Sequence, residues 1–426
     1  WTFGNSRLGR VRAQRQHQAH SAIKEQFRAV DAIETVEMTP HMETIARLAH
    51  ELGAMPIKRG NDVELLPDYA DTIKRMTLEI ENALEYVHVE FYIAAIDDMT
   101  RPMFEAMAAA AKRGVEVHFL FDFLGSRGLP TYKPMIKWLA KTDIKYAPML
   151  PLSIRKRRFR RPDLRNHRKL LVVDGEIGFM GSMNLTEPGY NKRKNHRLGR
   201  QWVELMCRVT GPAVAALDAV FASDWFTETG EILAVKRPKK ADGPLAAQLL
   251  PSGPGFVAEN NLRVFTSLIS AANERLSITS PYFVPDESLL YALTTAAMRG
   301  VEVELFVSET ADQFMVGHAQ ASYYRMLLES GIRIWRYPDP YILHSKHFTV
   351  DDTVAVIGSS NMDMRSFSLN YEVSMLMLGP EIVADMRVIE DRYREVSKEL
   401  TLEEWSKRSH VNKYLDNVFR LTSALQ

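Results

Sequence analysis

The stretch NHRKLLVVDGEIGFMGSMN, residues 166–184, is echoed by LHSKHFTVDDTVAVIGSSN, residues 343–361. The echo is a strict one. His167 and His344, Lys169 and Lys346, Asp174 and Asp351, Gly181 and Gly358, Ser182 and Ser359, and Asn184 and Asn361 all stand 177 residues apart. A register that never slips means that one supersecondary unit occurs twice, and the chain must fold as two like halves. A second repeat agrees: RGVEV occurs at 113–117 and again at 299–303. Each copy follows a helix-like run, PMFEAMAAAAK or ESLLYALTTAAM, and opens a β-branched segment, VEVHFLFD or VEVELFVSE. Upstream, VHVEFYIAAI at 87–96 and RLSITSPYFV at 275–284 read as strands, completing a strand-helix-strand unit in each half. The fold class expected is α/β, with two halves related by a pseudo-twofold axis, each a mixed β-sheet flanked by helices.

At 426 residues and 46% hydrophobic, the chain can bury two cores of ordinary size. A charged, helix-breaking stretch at 228–244, ETGEILAVKRPKKADGP, separates domains expected at 41–235 and 245–426. Lys plus Arg number 54 against 53 Asp plus Glu, which is not the balance of a protein built around nucleic acid, so any anion site is local. The single cysteine, Cys207, excludes an internal disulfide and a Cys-based zinc site and reads as a small buried hydrophobe. No apolar run reaches the roughly 18 residues that a membrane span needs. The chain opens on Trp1, and residues 1–24 carry Arg7, Arg10, Arg12, Arg15 and Lys24 without one acid. By the bias of positive charge toward the cytoplasmic side, residues 1–40 read as a basic juxtamembrane segment following membrane helices.

In KLLVVDGEIGFMG the two apolar runs around Asp174-Gly175 spell a hairpin with that pair in its turn. On a strand, His167 and Lys169 share a face, as do His344 and Lys346, and Ser182 and Asn184 share one likewise. Imidazole, ammonium, hydroxyl and amide together can hold a phosphate: Lys supplies a charged donor, Ser182, Asn184, Ser359 and Asn361 neutral ones, and His stands for attack or proton transfer. Asp174 and Asp351 belong to the same motif and are set with the catalytic group, although their place in turns equally suits bracing the hairpin. Displacement at phosphorus by a covalent route needs a nucleophile and an acid. Each H-x-K motif supplies one histidine, so two halves packed about a twofold supply both. Each imidazole needs a carboxylate to fix its tautomer. Glu204 follows His167 by 37 residues and Glu372 follows His344 by 28, each in an apolar strand. The basic run RKRRFRR, 155–161, lies ahead of the first motif only. Electropositive surroundings disfavour an imidazolium, so His167 is expected to attack and His344 to act as acid and then base.

Two H-x-K-x-x-x-x-D motifs, each followed by G-S-x-N, resemble the phospholipase D superfamily. The segments NHRKLLVVDG, GFMGSMNLTEPGY, PSGPG, TSPYFVPDESLL and NMDMRSFSLNYE are similar to the bacterial cardiolipin synthase family, from about residue 40 to the C-terminus, whereas FRLTSALQ departs from that family's leucine-rich finish. The resemblance implies two phospholipase D-like domains and a phosphatidyltransferase that passes through a phosphatidyl-histidine. One phosphatidylglycerol is the donor and a second the acceptor, with no metal or cofactor and no nucleic acid. It places the enzyme at the bacterial inner membrane, the catalytic part on the cytoplasmic side, with anionic lipid head groups meeting RKRRFRR, Arg165 and Arg168. Another phospholipase D-type enzyme (a phospholipase D, a phosphatidylserine synthase or a nuclease) and a non-catalytic membrane-binding protein remain alternatives at this point.

Overall fold

The computed structural model describes residues 10–28, 38–53, 55–152, 163–236 and 242–421. The β-branched and aromatic runs form two large sheets. In the first, the spatial order is Asp62–Leu66, Met206–Thr210, Ile177–Gly181, Lys169–Val173, Tyr86–Phe91, Glu116–Asp122 and Lys145–Met149. The last three are parallel and every other neighbouring pair antiparallel. In the second, Gly243–Ser252, Glu372–Leu378, Val354–Gly358, His347–Val350, Arg275–Thr279, Glu302–Ser308 and Arg333–Tyr337 repeat both the order and the directions. The internal repeat is thus a repeat of topology.

The second sheet is wider, with Lys398–Leu400 at one edge and Lys58–Gly60 at the other. Lys58 pairs with Ala247, and helix Pro40–Gly53 packs on helix Asn260–Ala271 and strand Gly243–Ser252. Residues 40–60 therefore join the second sheet, although the sequence reading assigned them to the first domain. The long strand Gly243–Ser252 would otherwise present an open edge of unpaired backbone groups, and the early segment covers it.

Helix Ala213–Thr229 is buried around its whole circumference because it lies between the first sheet and strand Gly243–Ser252 of the second. Helix Pro380–Val396 does the converse, packing on the second sheet and strand Asp62–Leu66 of the first. Between the sheets, Leu170, Val172, Met180 and Cys207 meet Leu249, Ile357, Val373 and Met375 in one apolar cluster. Burial pushes the Cys207 thiol up to about 12, so it stays a protonated hydrophobe. Helices Tyr69–Glu81 and Arg101–Lys112 close the outer face of the first sheet, and Asn260–Ala271 and Glu287–Met298 that of the second. The layers run helix, sheet, helix, sheet, helix.

Helix Arg10–Arg28 departs from a solvated basic flank. It docks on Ala213–Thr229, where Arg12 is buried in an ion pair with Glu228, and it reaches the second half through a hydrogen bond from Tyr371 to Gln16, 3.2 Å. Among the described residues no helix is long and apolar enough to cross a membrane.

Candidate active site

The two motifs meet where the halves exchange backbone. Strand Ile342–Leu343 runs parallel to Trp202–Val203, and Asn166 bridges Tyr371 in the same sense. As a result, the His344 N–H donates to the Val203 carbonyl at 2.7 Å and the His167 N–H to the Tyr371 carbonyl at 2.9 Å. In each case the next residue on the accepting strand is the glutamate, and the pairing is crossed. His344 Nδ1 lies 2.8 Å from Glu204, and His167 Nδ1 lies 3.0 Å from Glu372. Chain order pairs His167 with Glu204; the twofold packing pairs it with Glu372. A proton on Nδ1, facing the carboxylate, leaves Nε2 of each imidazole as the lone-pair nitrogen.

Ser182 and Ser359 are placed behind this arrangement. Their hydroxyls donate to Glu204 and Glu372 at 2.6 and 2.5 Å and accept from the N–H of Leu205 and Val373 at 2.9 and 3.0 Å. The two serines therefore orient carboxylates and do not line the cavity, which corrects their expected place on the phosphate. The preceding glycines explain the close fit: a Cβ on Gly181 would stand 2.3 Å from the Leu205 carbonyl, and one on Gly358 would stand 2.4 Å from that of Val373.

Lys169 and Lys346 are buried, and each ammonium donates to the carbonyl of its own histidine, His167 or His344. Two N–H groups per lysine remain for an anion. Asn184 lines the cavity, with its amide nitrogen on the Tyr190 hydroxyl at 2.8 Å and its oxygen on the Ile93 N–H at 3.1 Å. Asn361 also lines it, and its backbone N–H donates to the Ser366 hydroxyl at 3.2 Å.

Asp174 and Asp351 do not reach the site, and their catalytic assignment is corrected. They occupy hairpin turns at the far ends of strands Lys169–Val173 and His347–Val350, about 16 Å along the chain from the lysine in the first case. Asp174 accepts from the N–H of Leu84, Glu85 and Tyr86 at 2.7–2.9 Å, and Asp351 from Asn273, Glu274 and Arg275 at 2.8–3.2 Å. Each carboxylate ties the hairpin to the start of the neighbouring strand. Arg168 is corrected likewise. Fully buried, it pairs with Asp224 and donates across the domain boundary to the carbonyls of Glu372, 3.0 Å, and Ser252, 3.2 Å, so it meets no head group. The run at 155–161 lies outside the described residues.

Burial dominates the electrostatics. It lowers both histidines to about 4, overcoming the glutamates that pull them up. Both are lowered alike, and the basic run from which a contrast between His167 and His344 is expected lies outside the described residues. Burial also favours protonated glutamates, but His344 holds Glu204, and His167 holds Glu372, below the usual carboxylate range. Lys169 is pushed down to about 7 and Lys346 to about 8, again chiefly by burial. As pH rises through these values the two ammonium groups lose their charge. Inorganic vanadate, a phosphate mimic, is therefore expected to bind about tenfold or more weakly at pH 9 than at pH 7. Titration calorimetry checks this, and an affinity that stays level across that range would contradict it.

His167 and His344 open on one cavity of about 560 Å³. Several of its groups were not singled out from sequence. Tyr92 meets His167 edge-on at 5.0 Å between ring centres, and Tyr282 meets His344 at 6.2 Å. Tyr190 donates to Glu204 at 3.2 Å, and Asn370 to Glu372 at 3.3 Å. The available signals were the Tyr closing GFMGSMNLTEPGY and the Asn two places before Glu372. Among the described residues no group of His, Cys, Asp and Glu side chains is arranged to hold a metal ion.

Twin mixed sheets that bring two crossed His–Glu pairs to one cavity, each histidine backed by a buried lysine on its carbonyl, define a site of the phospholipase D type. The family model described as "Cardiolipin synthase, PLD-like domain" matches residues 76–225 and 265–393, and the chain belongs to that family. Cardiolipin synthase A of Proteus mirabilis is 32% identical over the whole of this chain and 88% of its own length. The cardiolipin synthase of Halalkalibacterium halodurans is 33% identical over 91% of this chain and 77% of that protein. Among solved structures, phosphatidylserine synthase of Haemophilus influenzae shares the fold, with a TM-score of 0.67 at 16% identity over 91% of this chain and all of the other.

Proposed function

We propose that this protein is a cardiolipin synthase, moving a phosphatidyl group from one phosphatidylglycerol in the bacterial cell membrane to a second, with release of glycerol. The observation that carries the reading is the crossed pairing of His167 with Glu372 and His344 with Glu204 around a shared cavity, in a chain of this family. Each Nε2 is a lone-pair nitrogen with a carboxylate behind it, as a nucleophile at phosphorus requires. Two glutamates, two lysines and two neutral imidazoles balance in charge. A bound phosphodiester adds one negative charge, and protonation of one imidazole restores neutrality; the empty-site value of about 4 rises when the anion arrives.

One histidine attacks phosphorus, while the imidazolium of the other protonates the departing glycerol oxygen. The second histidine, now neutral, then takes the proton of the incoming hydroxyl as the phosphorus–nitrogen bond breaks. Lys169 and Lys346 carry the positive charge beside the phosphoryl oxygens, with Asn184 and Asn361 on the cavity wall.

Incubation with phosphatidylglycerol vesicles, followed by mass spectrometry, tests the reading. Cardiolipin and glycerol in equal amounts are expected. Phosphatidic acid without cardiolipin would make the protein a hydrolase, and absence of turnover would leave a lipid-binding protein.

A further inference from the structure

Residues on one wall of the cavity carry buried polar atoms that have no partner among the described residues. Arg165 lines it with a side chain only 3% exposed. Its Nη1 pairs with Asp122 at 3.2 Å, but Nε and Nη2 are buried without a partner among the described residues. Those two N–H groups share one edge of the planar guanidinium, the edge that grips two oxygens of a phosphate at once. Arg365 lines the same cavity and spends one N–H on the Asp163 carbonyl at 3.1 Å. The wall is continuous in its backbone: Tyr371 N–H donates to the Arg165 carbonyl at 2.9 Å, and Asn370 N–H to that of Arg365 at 3.0 Å.

The same wall offers open acceptors. Asn361 and Asn370 are each 5% exposed, and the Asn370 amide nitrogen donates to Glu372 at 3.3 Å. A carboxylate accepts and never donates while ionised, so this bond sets which way the Asn370 amide points and leaves its Oδ1 facing away from the carboxylate. Neither Oδ1 has a donor among the described residues. Buried donors and acceptors are rarely left open in a folded protein, and where they cluster on a cavity they mark a polar ligand.

The phosphoryl group that reacts is provided for by the lysines and histidines, which leaves this set unexplained by one phosphate. We propose that the wall is a subsite for a second glycerol phosphate: Arg165 and Arg365 take the phosphate, and the Oδ1 atoms of Asn361 and Asn370 take glycerol hydroxyls. The inference rests on the phosphatidylglycerol reading and adds to it the seat of the acceptor lipid's head group. From that seat the acceptor's terminal hydroxyl oxygen forms its bond to the phosphorus of the phosphatidyl-histidine. The phosphorus–nitrogen bond breaks with its electron pair returning to the imidazole, and the hydroxyl proton passes to the other histidine. A lipid so held outcompetes water, and the products are cardiolipin and free enzyme.

The test reads how the intermediate is divided between lipid and water. With phosphatidylglycerol vesicles, the ratio of cardiolipin to phosphatidic acid is expected to fall at least tenfold in Arg165→Lys, which keeps a cation for Asp122 but loses the planar fork. Arg365→Ala, at a half-buried position that tolerates truncation, is expected to lower the ratio at least threefold and keeps the test open should Arg165→Lys not fold. Water-soluble sn-glycerol 3-phosphate, added to the vesicles, separates head-group recognition from lipid packing. It is expected to inhibit cardiolipin formation in the wild type and to need about tenfold higher concentration in either folded variant. Ratios and inhibition that match the wild type in folded variants would overturn the subsite. A wild-type protein that makes no cardiolipin would overturn the parent reading, and the two failures are told apart by the wild-type arm alone.

Discussion

Alanine at His167 or at His344 is expected to lower phosphatidyl transfer by about a thousandfold or more, with the protein still folded. In the proposed mechanism the two roles are filled in sequence by the two imidazoles, so loss of either stops the cycle, and the double variant should be no slower than the worse single one. Folding survives because each orphaned carboxylate keeps other partners: Glu372 retains Ser359 at 2.5 Å and Asn370 at 3.3 Å, and Glu204 retains Ser182 at 2.6 Å and Tyr190 at 3.2 Å. Initial rates on phosphatidylglycerol vesicles, with circular dichroism as the check on folding, decide the matter. Activity above about a tenth of the wild type in either folded variant is incompatible with paired histidines.

Arg168→Ala is expected to cost about 3–5 kcal/mol of stability, the usual loss when one member of a buried ion pair is removed. The guanidinium is the cation that compensates Asp224, and it also offsets Glu90, whose carboxyl burial already pushes far up. It further ties the Glu372 and Ser252 carbonyls to the first half and lies over the Tyr371 ring, 5.5 Å from its centre. Truncation therefore strands the Asp224 carboxylate and loosens the strand that carries the partner of His167. Urea unfolding reads the loss as a lower midpoint, and a change below about 1 kcal/mol would contradict the account.

Much of the fold was readable because its signals are local. The runs PMFEAMAAAAK and ESLLYALTTAAM lie in helices Arg101–Lys112 and Glu287–Met298, and the glycine of each RGVEV has φ near +97°, at Gly114 and Gly300, where the chain turns from helix to strand. The hairpin around Asp174-Gly175 was equally legible, since both residues take the positive φ that such a turn demands. The fixed offset of the motif carried the twofold relation of the sheets. What escaped was everything decided between elements. Nothing in the spacing of His167 and Glu204 reveals that a parallel contact with Tyr371 will deliver Glu372 instead. Arg168 reads like a head-group ligand because burial is invisible one residue at a time. Asp174 and Asp351 keep their register for a different reason from the histidines, and a repeat does not separate bracing from chemistry.

The crossed pairs also change what kind of object this chain is. Each half contributes one histidine and the glutamate that meets the other half's histidine, so neither half holds a complete His–Glu pair. In quaternary terms the two like halves meet as two subunits would, but within one chain, and the early strand Lys58–Gly60 on the second sheet ties them together a second time. The two copies are then free to diverge, as the Tyr190 on one carboxylate and the Asn370 on the other already show, provided that each keeps fitting its neighbour.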